Sequence, residues 1–140
     1  MQRGAVATWM RLVRVFHRVQ GHESAALRAY ELSMAQFDVI AQVGRDEGLT
    51  QQVLADRLLV TKGNICQLLD RLVQRGLLVR QPEGRANRIV LTPAGRAIYA
   101  EVVPAQEMQL AALFSPLSID EQAQLRALLR KLEHGVGAYS

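Results

Sequence analysis

Apolar residues recur near the start of the chain at the three- and four-residue spacing of an α-helix. Within residues 5–29 they form one continuous stripe, made of Val6, Trp9, Leu12, Val13, Phe16 and Val19. Ser33 then precedes a second apolar series that stops near Gly48, and a serine there can cap a helix with its hydroxyl. The pattern predicts a long first helix over 5–29 and a shorter second helix.

Residues 49–78 contain two short helical patterns separated by a tight turn. Thr50 stands before Val53, Leu54 and Leu58, and Thr61 stands before a stripe of Ile65, Leu68, Leu69 and Leu72. Gly76 is placed to end the second helix in a left-handed conformation. Two short helices this close predict a helix-turn-helix.

From Leu77 onward the apolar residues come in short runs, 77–79 and 89–91, separated by Pro82, Glu83 and Gly84. This change of period predicts a β-hairpin. Thr92 followed by Pro93 predicts the start of a fifth helix, which Pro104 should kink or break.

The last helix is predicted by a capping box, in which Ser118 is followed three residues later by Glu121. Its apolar stripe consists of Leu125, Leu128, Leu129 and Leu132. The expected fold class is therefore mainly α with a small β-hairpin, within a single domain over 1–140.

Composition limits the cellular compartment that fits this sequence. The chain has 140 residues, 49% of them hydrophobic, and a single cysteine, Cys66, which excludes an internal disulfide framework. Arginines at 3, 11, 14 and 18 interrupt any apolar run that could serve as a signal peptide or membrane span. We expect a cytoplasmic protein without membrane contact.

Positive charge is concentrated in the middle of the chain. Residues 50–96 hold eight Lys or Arg against three Asp or Glu, whereas the whole chain has a net charge of +4. An anionic partner should therefore meet this segment.

The second helix of the helix-turn-helix has a polar face with long hydrogen-bonding side chains. These are Lys62, Asn64, Gln67 and Arg71, which can reach base edges or phosphates. Thr50 and Thr61 cap helix N-termini that can also receive phosphates. The alternative is that these residues only solvate an amphipathic helix, but their combination favours DNA.

The hairpin turn places Arg85 and Arg88 in a region with little apolar content. An arginine at such a tip can enter a narrow, electronegative minor groove of DNA. The alternative is a soluble loop without a ligand.

These features resemble the multiple antibiotic resistance regulator (MarR) family of winged helix-turn-helix proteins, over nearly the whole chain. The most specific parts are VTKGNICQLLDRLVQRGLL at 60–78 and the wing pattern D-x-R, three residues, aliphatic, one residue, L-T-x-x-G. This chain supplies Glu83 in place of the aspartate, then Arg85, Ile89, Leu91, Thr92 and Gly95.

The resemblance implies roles for the candidate residues. Arg85 would be the minor-groove arginine, and Arg88, beside the same turn, is a further candidate DNA contact. Lys62, Asn64 and Gln67 would read bases, and Thr50, Thr61 and Arg71 would contact phosphates. The DNA-binding lobe would span 33–96.

It also implies a homodimer whose terminal helices, over 1–30 and 97–140, interlock about a two-fold axis. The residues expected there are Val6, Trp9, Leu12, Val13, Leu125, Leu128, Leu129 and Leu132. Their alternative use is an intramolecular core. A two-fold dimer implies a palindromic double-stranded DNA operator with half-sites about 34–36 Å apart.

Members of this family are commonly repressors that a small, often aromatic or phenolic, effector releases from DNA. The aromatic residues Trp9, Phe16, Tyr30 and Phe37 could line such a cleft, although aromatic residues at helical spacing more often belong to a core.

Two alternative functions stay open, namely a winged helix used only for protein–protein interaction and a redox-responsive regulator acting through Cys66. An enzyme is not expected, because the chain has no glycine-rich phosphate loop, no HExxH motif and no nucleophile elbow. We expect no cofactor and no metal site.

Overall fold

A computed structural model of the chain describes residues 2–58 and 62–137. It is mainly α-helical with one small antiparallel sheet, which confirms the predicted fold class. The elements in the described residues are α1 (Gln2–Leu27), a 3-10 turn (Arg28–Tyr30), α2 (Met34–Arg45), β1 (Leu49–Thr50), α3 (Gln51–Leu58), α4 (Lys62–Gln74), β2 (Leu78–Glu83), β3 (Ala86–Leu91), α5 (Pro93–Phe114) and α6 (Ile119–Gly137).

The chain divides into two compact units, one ending at Gln106 and the other beginning at Glu107. The first unit contains the helix-turn-helix and the sheet. In the second unit the Gln122 amide donates to the carbonyls of Phe114 and Leu117, both at 3.1 Å, and so closes the turn between α5 and α6.

The hydrophobic core of the first unit gathers apolar side chains from α1 to α5 and from all three strands. Its buried members are Leu27, Leu32, Val39, Ile40, Val43, Leu49, Leu54, Ala55, Ile65, Leu69, Leu72, Leu77, Leu78, Ile89, Leu91 and Val102. Phe37, Leu58 and Leu68 pack against this core and are partly buried. The stripes predicted for α2 and α4 therefore do face inward, as do Leu54 and Leu58 of α3. Val53, the third residue of the predicted α3 stripe, is 40% exposed.

Three predicted helix ends are confirmed by their hydrogen bonds. Ser33 and Gln36 form a reciprocal capping box at the start of α2, and Ser118 and Glu121 form one at the start of α6. Gly76 follows α4 with a φ of 73°, a left-handed conformation that suits glycine. The end of α2 differs, since it falls at Arg45 and not near Gly48.

The sheet has three strands in the order β1-β3-β2, whereas the sequence pattern predicts only a hairpin. β1 is two residues long and pairs Leu49 with Ile89 and Thr50 with Arg88. The hairpin strands are also longer than predicted, because Pro82 and Glu83 belong to β2. Gly84 has a φ of 62°, and the pairing of Glu83 with Ala86 leaves a tight two-residue turn.

Pro104 is predicted to kink or break the fifth helix, and the break is wrong, since α5 continues from Pro93 to Phe114. Proline removes one backbone hydrogen bond from a helix interior. Val102 and Gln106, on either side of it, are both buried, and this packing favours the continuous helix.

The N-terminus of α5 is anchored to the end of α4. Thr92 donates its hydroxyl to the carbonyl of Gly76 and accepts from the amide of Gly95 at 3.0 Å. Gly95 is required by close packing, because a Cβ there would collide with the carbonyl oxygen of Leu77.

None of the described helices is both long enough and apolar enough to cross a membrane.

Candidate nucleic-acid interface

α3 and α4 form the predicted helix-turn-helix, and their buried residues set which faces are exposed. Ile65, Leu69 and Leu72 of α4 are fully buried, so the opposite face of that helix is turned to solvent. Thr50 caps α3, because its Oγ1 accepts from the amide of Val53 at 3.2 Å. Thr61, the other predicted cap, lies outside the described residues.

Three of the predicted contact residues share this exposed face of α4. Asn64, Gln67 and Arg71 are exposed and follow one another at helical spacing. Together with Ala35 and Leu68 they line one shallow depression. Lys62 is the first residue of α4, at the N-terminal end of the same helix.

The two wing arginines have different surroundings. Arg85 lies exposed in the turn of the hairpin. Arg88 is bonded within the wing, because its Nε lies 2.9 Å from the Glu83 carboxylate and its Nη1 donates to the Gly48 carbonyl at 3.0 Å. Arg88 therefore joins the hairpin to the segment before β1, whereas Arg85 is presented outward.

The arginines of the basic segment also differ in whether they form ion pairs. Four arginines of the basic segment pair with carboxylates, in the pairs Arg57–Asp46, Arg80–Asp70, Arg88–Glu83 and Arg96–Glu47. Within the described ranges, Arg71 and Arg85 have no acidic partner. Their positive charge is available to an anion.

A groove of about 400 Å³ lies between the wing and the N-terminal ends of α3 and α4. It contains three polar residues that the sequence pattern does not single out, namely Gln51, Gln52 and Asn87. The groove exists because β1 brings Thr50 alongside β3. A two-residue strand leaves no periodic signal, so these residues could be found only from the folded chain.

Arg80 is a further residue that sequence reasoning missed. It reaches from β2 to α4, where one nitrogen lies 2.8 Å from the Asp70 carboxylate and 3.3 Å from the Cys66 carbonyl oxygen. The Arg80 side chain is 24% exposed, whereas that of Asp70 is 58% exposed. Arg80 therefore holds the wing against the helix that carries Asn64 and Gln67.

Cys66 faces the groove beside α3 and is half-buried. Its sulfur accepts a hydrogen bond from the side-chain Nε2 of Gln51 at 2.7 Å. Among the described residues, no group of three or more His, Cys, Asp or Glu side chains is arranged to hold a metal ion.

A second group of polar side chains is formed by Glu23 of α1, Asp38 of α2 and Gln106 of α5. Burial raises the pKa of Asp38, and burial together with the Asp38 charge raises the pKa of Glu23. The side chain of Gln106 is 4% exposed and donates to the Glu23 carbonyl at 3.4 Å. Here one buried and two partly buried polar side chains lie on helices that carry no predicted contact residue.

The helix-turn-helix, the three-stranded sheet and the exposed arginine at its hairpin turn define a winged helix-turn-helix protein. The family model for MarR proteins matches residues 30–89. An uncharacterised helix-turn-helix transcriptional regulator from Bacillus cereus is 33% identical over 125 residues, which cover 89% of this chain and 85% of that protein. The transcriptional regulator PecS from Dickeya dadantii is 34% identical over 74% of this chain and 66% of its own.

Solved structures agree. A cysteine-to-serine mutant of MarR from E. coli, in complex with operator DNA, has a TM-score of 0.82 and 27% identity, over 91% of this chain and 95% of its own. The transcriptional regulator SlyA shares the fold, with a TM-score of 0.82 at 19% identity over 92% of this chain and 93% of its own. The chain belongs to the MarR family of transcriptional regulators, as its sequence predicts, and is not an enzyme.

Proposed function

We propose that the chain is a sequence-specific regulator that binds double-stranded DNA through α4 and the wing. The observation that carries this proposal is the exposed polar face of α4, opposite a fully buried apolar face. Arg71 and Arg85, which have no acidic partner among the described residues, accompany it. An exposed helix with amide and guanidinium side chains suits the major groove. The E. coli MarR complex with operator DNA supports it by analogy.

The contacts divide by chemistry. Lys62, Asn64 and Gln67 read base edges, since ammonium and carboxamide groups match the donors and acceptors of the major groove. Thr50, Thr61 and Arg71 contact phosphates, and Arg85 enters the minor groove. Arg88 acts mainly within the wing, where its bonds to Glu83 and Gly48 hold the hairpin.

The protein acts as a homodimer. Val6 and Trp9 are each 61% exposed, and Leu128 and Leu132 are 64% and 50% exposed, which is unusual for large apolar side chains on two amphipathic helices. A second copy would cover both stripes. Two-fold symmetry then requires a palindromic operator with half-sites about one helical turn apart.

We propose that the protein is a repressor, which a small aromatic or phenolic effector releases from DNA. Tyr30 and Phe37 are partly buried against the core, whereas Phe16 stays exposed beside His17 with ring centroids 5.8 Å apart. Phenol and benzoate are suitable probes. Either should weaken operator binding at concentrations that leave the thermal unfolding curve of the protein intact.

The direct test is binding of labelled duplexes from the promoter region of the chain's own gene, followed by fluorescence anisotropy at several salt concentrations. Neutralised phosphates release counterions, so the logarithm of the affinity should fall steeply with the logarithm of salt concentration. Absence of binding, or binding insensitive to salt, would contradict the proposal and favour a winged helix used for protein contacts.

A further inference from the structure

Arg75 directly follows α4 and makes contacts far away in the sequence. Its Nη1 donates to the carbonyl oxygen of Glu31 at 2.7 Å, and its Nη2 donates to that of Tyr30 at 3.1 Å. The backbone amide of Arg75 also bonds to the carbonyl of Arg71 at 3.1 Å, so its backbone continues the helix. One planar guanidinium thus connects the end of α4 to a second segment.

That second segment is the end of α1. The 3-10 turn Arg28–Tyr30 follows α1 directly, and Glu31 ends it with a φ of 55°. Carbonyl groups at a helix C-terminus lack intrahelical partners and carry the negative end of the helix dipole. A cation that donates two hydrogen bonds there gives the carbonyl oxygens their partners and also offsets the negative end of the dipole.

The same turn is also bonded to α5. The hydroxyl of Tyr30 donates to the Glu101 carboxylate at 3.0 Å. Three elements therefore meet at this short segment. Tyr30 follows α1, Arg75 follows α4, and Glu101 belongs to α5.

We infer that Arg75 is a positioning residue for DNA recognition, which sets the orientation of α4 relative to α1 and α5. The inference rests on the proposed function. Apolar packing stabilises the position of α4 but is non-directional. Two hydrogen bonds from a rigid guanidinium also restrict the angle and the distance between the end of α4 and the turn after α1. In a two-fold dimer, that orientation determines which half-site spacing both recognition helices can reach.

Arg75 acts through α4 and does not need to contact DNA itself. Both of its terminal nitrogens already donate to carbonyl oxygens. A direct phosphate contact would contribute about one unit to the slope of log affinity against log salt, and a positioning residue would contribute none. The two roles can therefore be separated by measurement.

The experiment compares Arg75→Ala with Arg28→Ala. Arg28→Ala is a matched control that removes the same charge from the same region, because the Arg28 side chain forms no hydrogen bond or ion pair with the other described residues. Each protein is titrated against palindromic operators with base pairs inserted or removed between the half-sites. One base pair moves a half-site by about 3.4 Å along the duplex. Arg75→Lys keeps the charge without the planar fork, and Tyr30→Phe removes only the bond to Glu101.

The expected result is a loss of roughly 3- to 10-fold for Arg75→Ala at the preferred spacing. The preference for that spacing should also flatten, while the salt slope stays unchanged. Arg75→Lys and Tyr30→Phe should fall between this variant and the wild type, and Arg28→Ala should match the wild type. A slope lowered by one unit, or an unchanged spacing preference, would overturn the inference.

A second measurement does not depend on DNA. Spin labels at Gly21→Cys in α1 and Gln67→Cys in α4, in a Cys66→Ser background diluted with unlabelled protein, report the distance between these helices. Arg75→Ala should broaden the distance distribution, and an unchanged distribution would overturn the inference. If the wild type binds no operator but the distribution does broaden, the proposed function fails and the positioning role of Arg75 stands.

Discussion

The guanidinium of Arg88 donates to the carboxylate of Glu83 across the wing hairpin, with Nε and Oε2 2.9 Å apart. Glutamate replaces the aspartate of the family pattern at this position, yet it still reaches a wing arginine. The same guanidinium bonds to the Gly48 carbonyl, which precedes β1. One side chain therefore connects the two hairpin strands and the third strand of the sheet.

Removing Glu83 should cost little stability, because both partners of the ion pair are substantially exposed. We expect Glu83→Gln to change the free energy of unfolding by less than about 1 kcal/mol. Arg88→Ala should cost more, by a further ~1 kcal/mol, since it also leaves the part-buried Gly48 carbonyl without its donor. Urea unfolding measures both changes, and equal effects would contradict the assigned role of the Gly48 bond.

Arg85→Ala should weaken binding to many duplex sequences. Because Arg85 is exposed at the hairpin turn without an acidic partner among the described residues, its loss should lower the salt slope by about one unit. Gln67→Ala should instead cost roughly 1–3 kcal/mol at particular base pairs and little elsewhere. Binding to operators with single base-pair changes separates the two. A uniform loss for Gln67→Ala would show that it does not read bases.

Gly95→Ala should destabilise the first unit by about 2–4 kcal/mol, because the added Cβ would collide with the Leu77 carbonyl, a backbone atom that cannot easily move. Gly21→Ala is the matched control, since nothing lies within 4 Å of the position a Cβ would take there. Alanine in that helix should stabilise by up to about 1 kcal/mol. Thermal unfolding of both variants tests the contrast, and similar shifts would contradict the close packing at Gly95.

Asp38→Asn should raise the stability of the protein at neutral pH. Burial raises the pKa of Asp38 in the folded state, so the folded protein favours the protonated form and loses stability as pH rises through that pKa. The neutral amide avoids this loss, so the melting temperature at pH 7 should rise. The gain should shrink as pH falls and vanish below about pH 4, where the unfolded aspartate is also protonated. A gain that persists at pH 3 would contradict this explanation.

Leu132→Glu should convert the proposed dimer into monomers, because it places a charge on the apolar stripe of α6. Ala123→Glu adds the same charge to the opposite side of that helix and should leave the dimer intact. Sedimentation velocity measures the change. A dimer that survives Leu132→Glu would show that this stripe is not the interface.

Much of the fold could be predicted from local pattern. The stripe of Ile65, Leu69 and Leu72 identified the buried side of α4, and with it the exposed side that carries Asn64 and Gln67. The cap at Ser33, the capping box at Ser118 and the left-handed Gly76 marked helix ends, because each depends on residues only a few positions apart. The family itself was recognisable from the segment 60–78 and the wing pattern.

The errors have a common physical origin. β1 is too short to show alternation, and α5 continues through Pro104 although local rules predict a kink or a break there. Arg88 had the same appearance as Arg85 in the sequence, because each is a basic residue near a turn. Only the pairing of β1 with β3 shows that one is bonded inside the wing and the other is exposed.

The sequence by itself determined the order of helices, the face of α4 that is buried and the concentration of positive charge in the middle of the chain, since these follow from neighbours within a turn or two. The tertiary structure decided which arginines are already bonded. Arg75 meets Tyr30 and Glu31, and Arg88 meets Gly48, across 40 or more residues of chain. Such partners are brought together only when the whole core packs, so no local pattern records them.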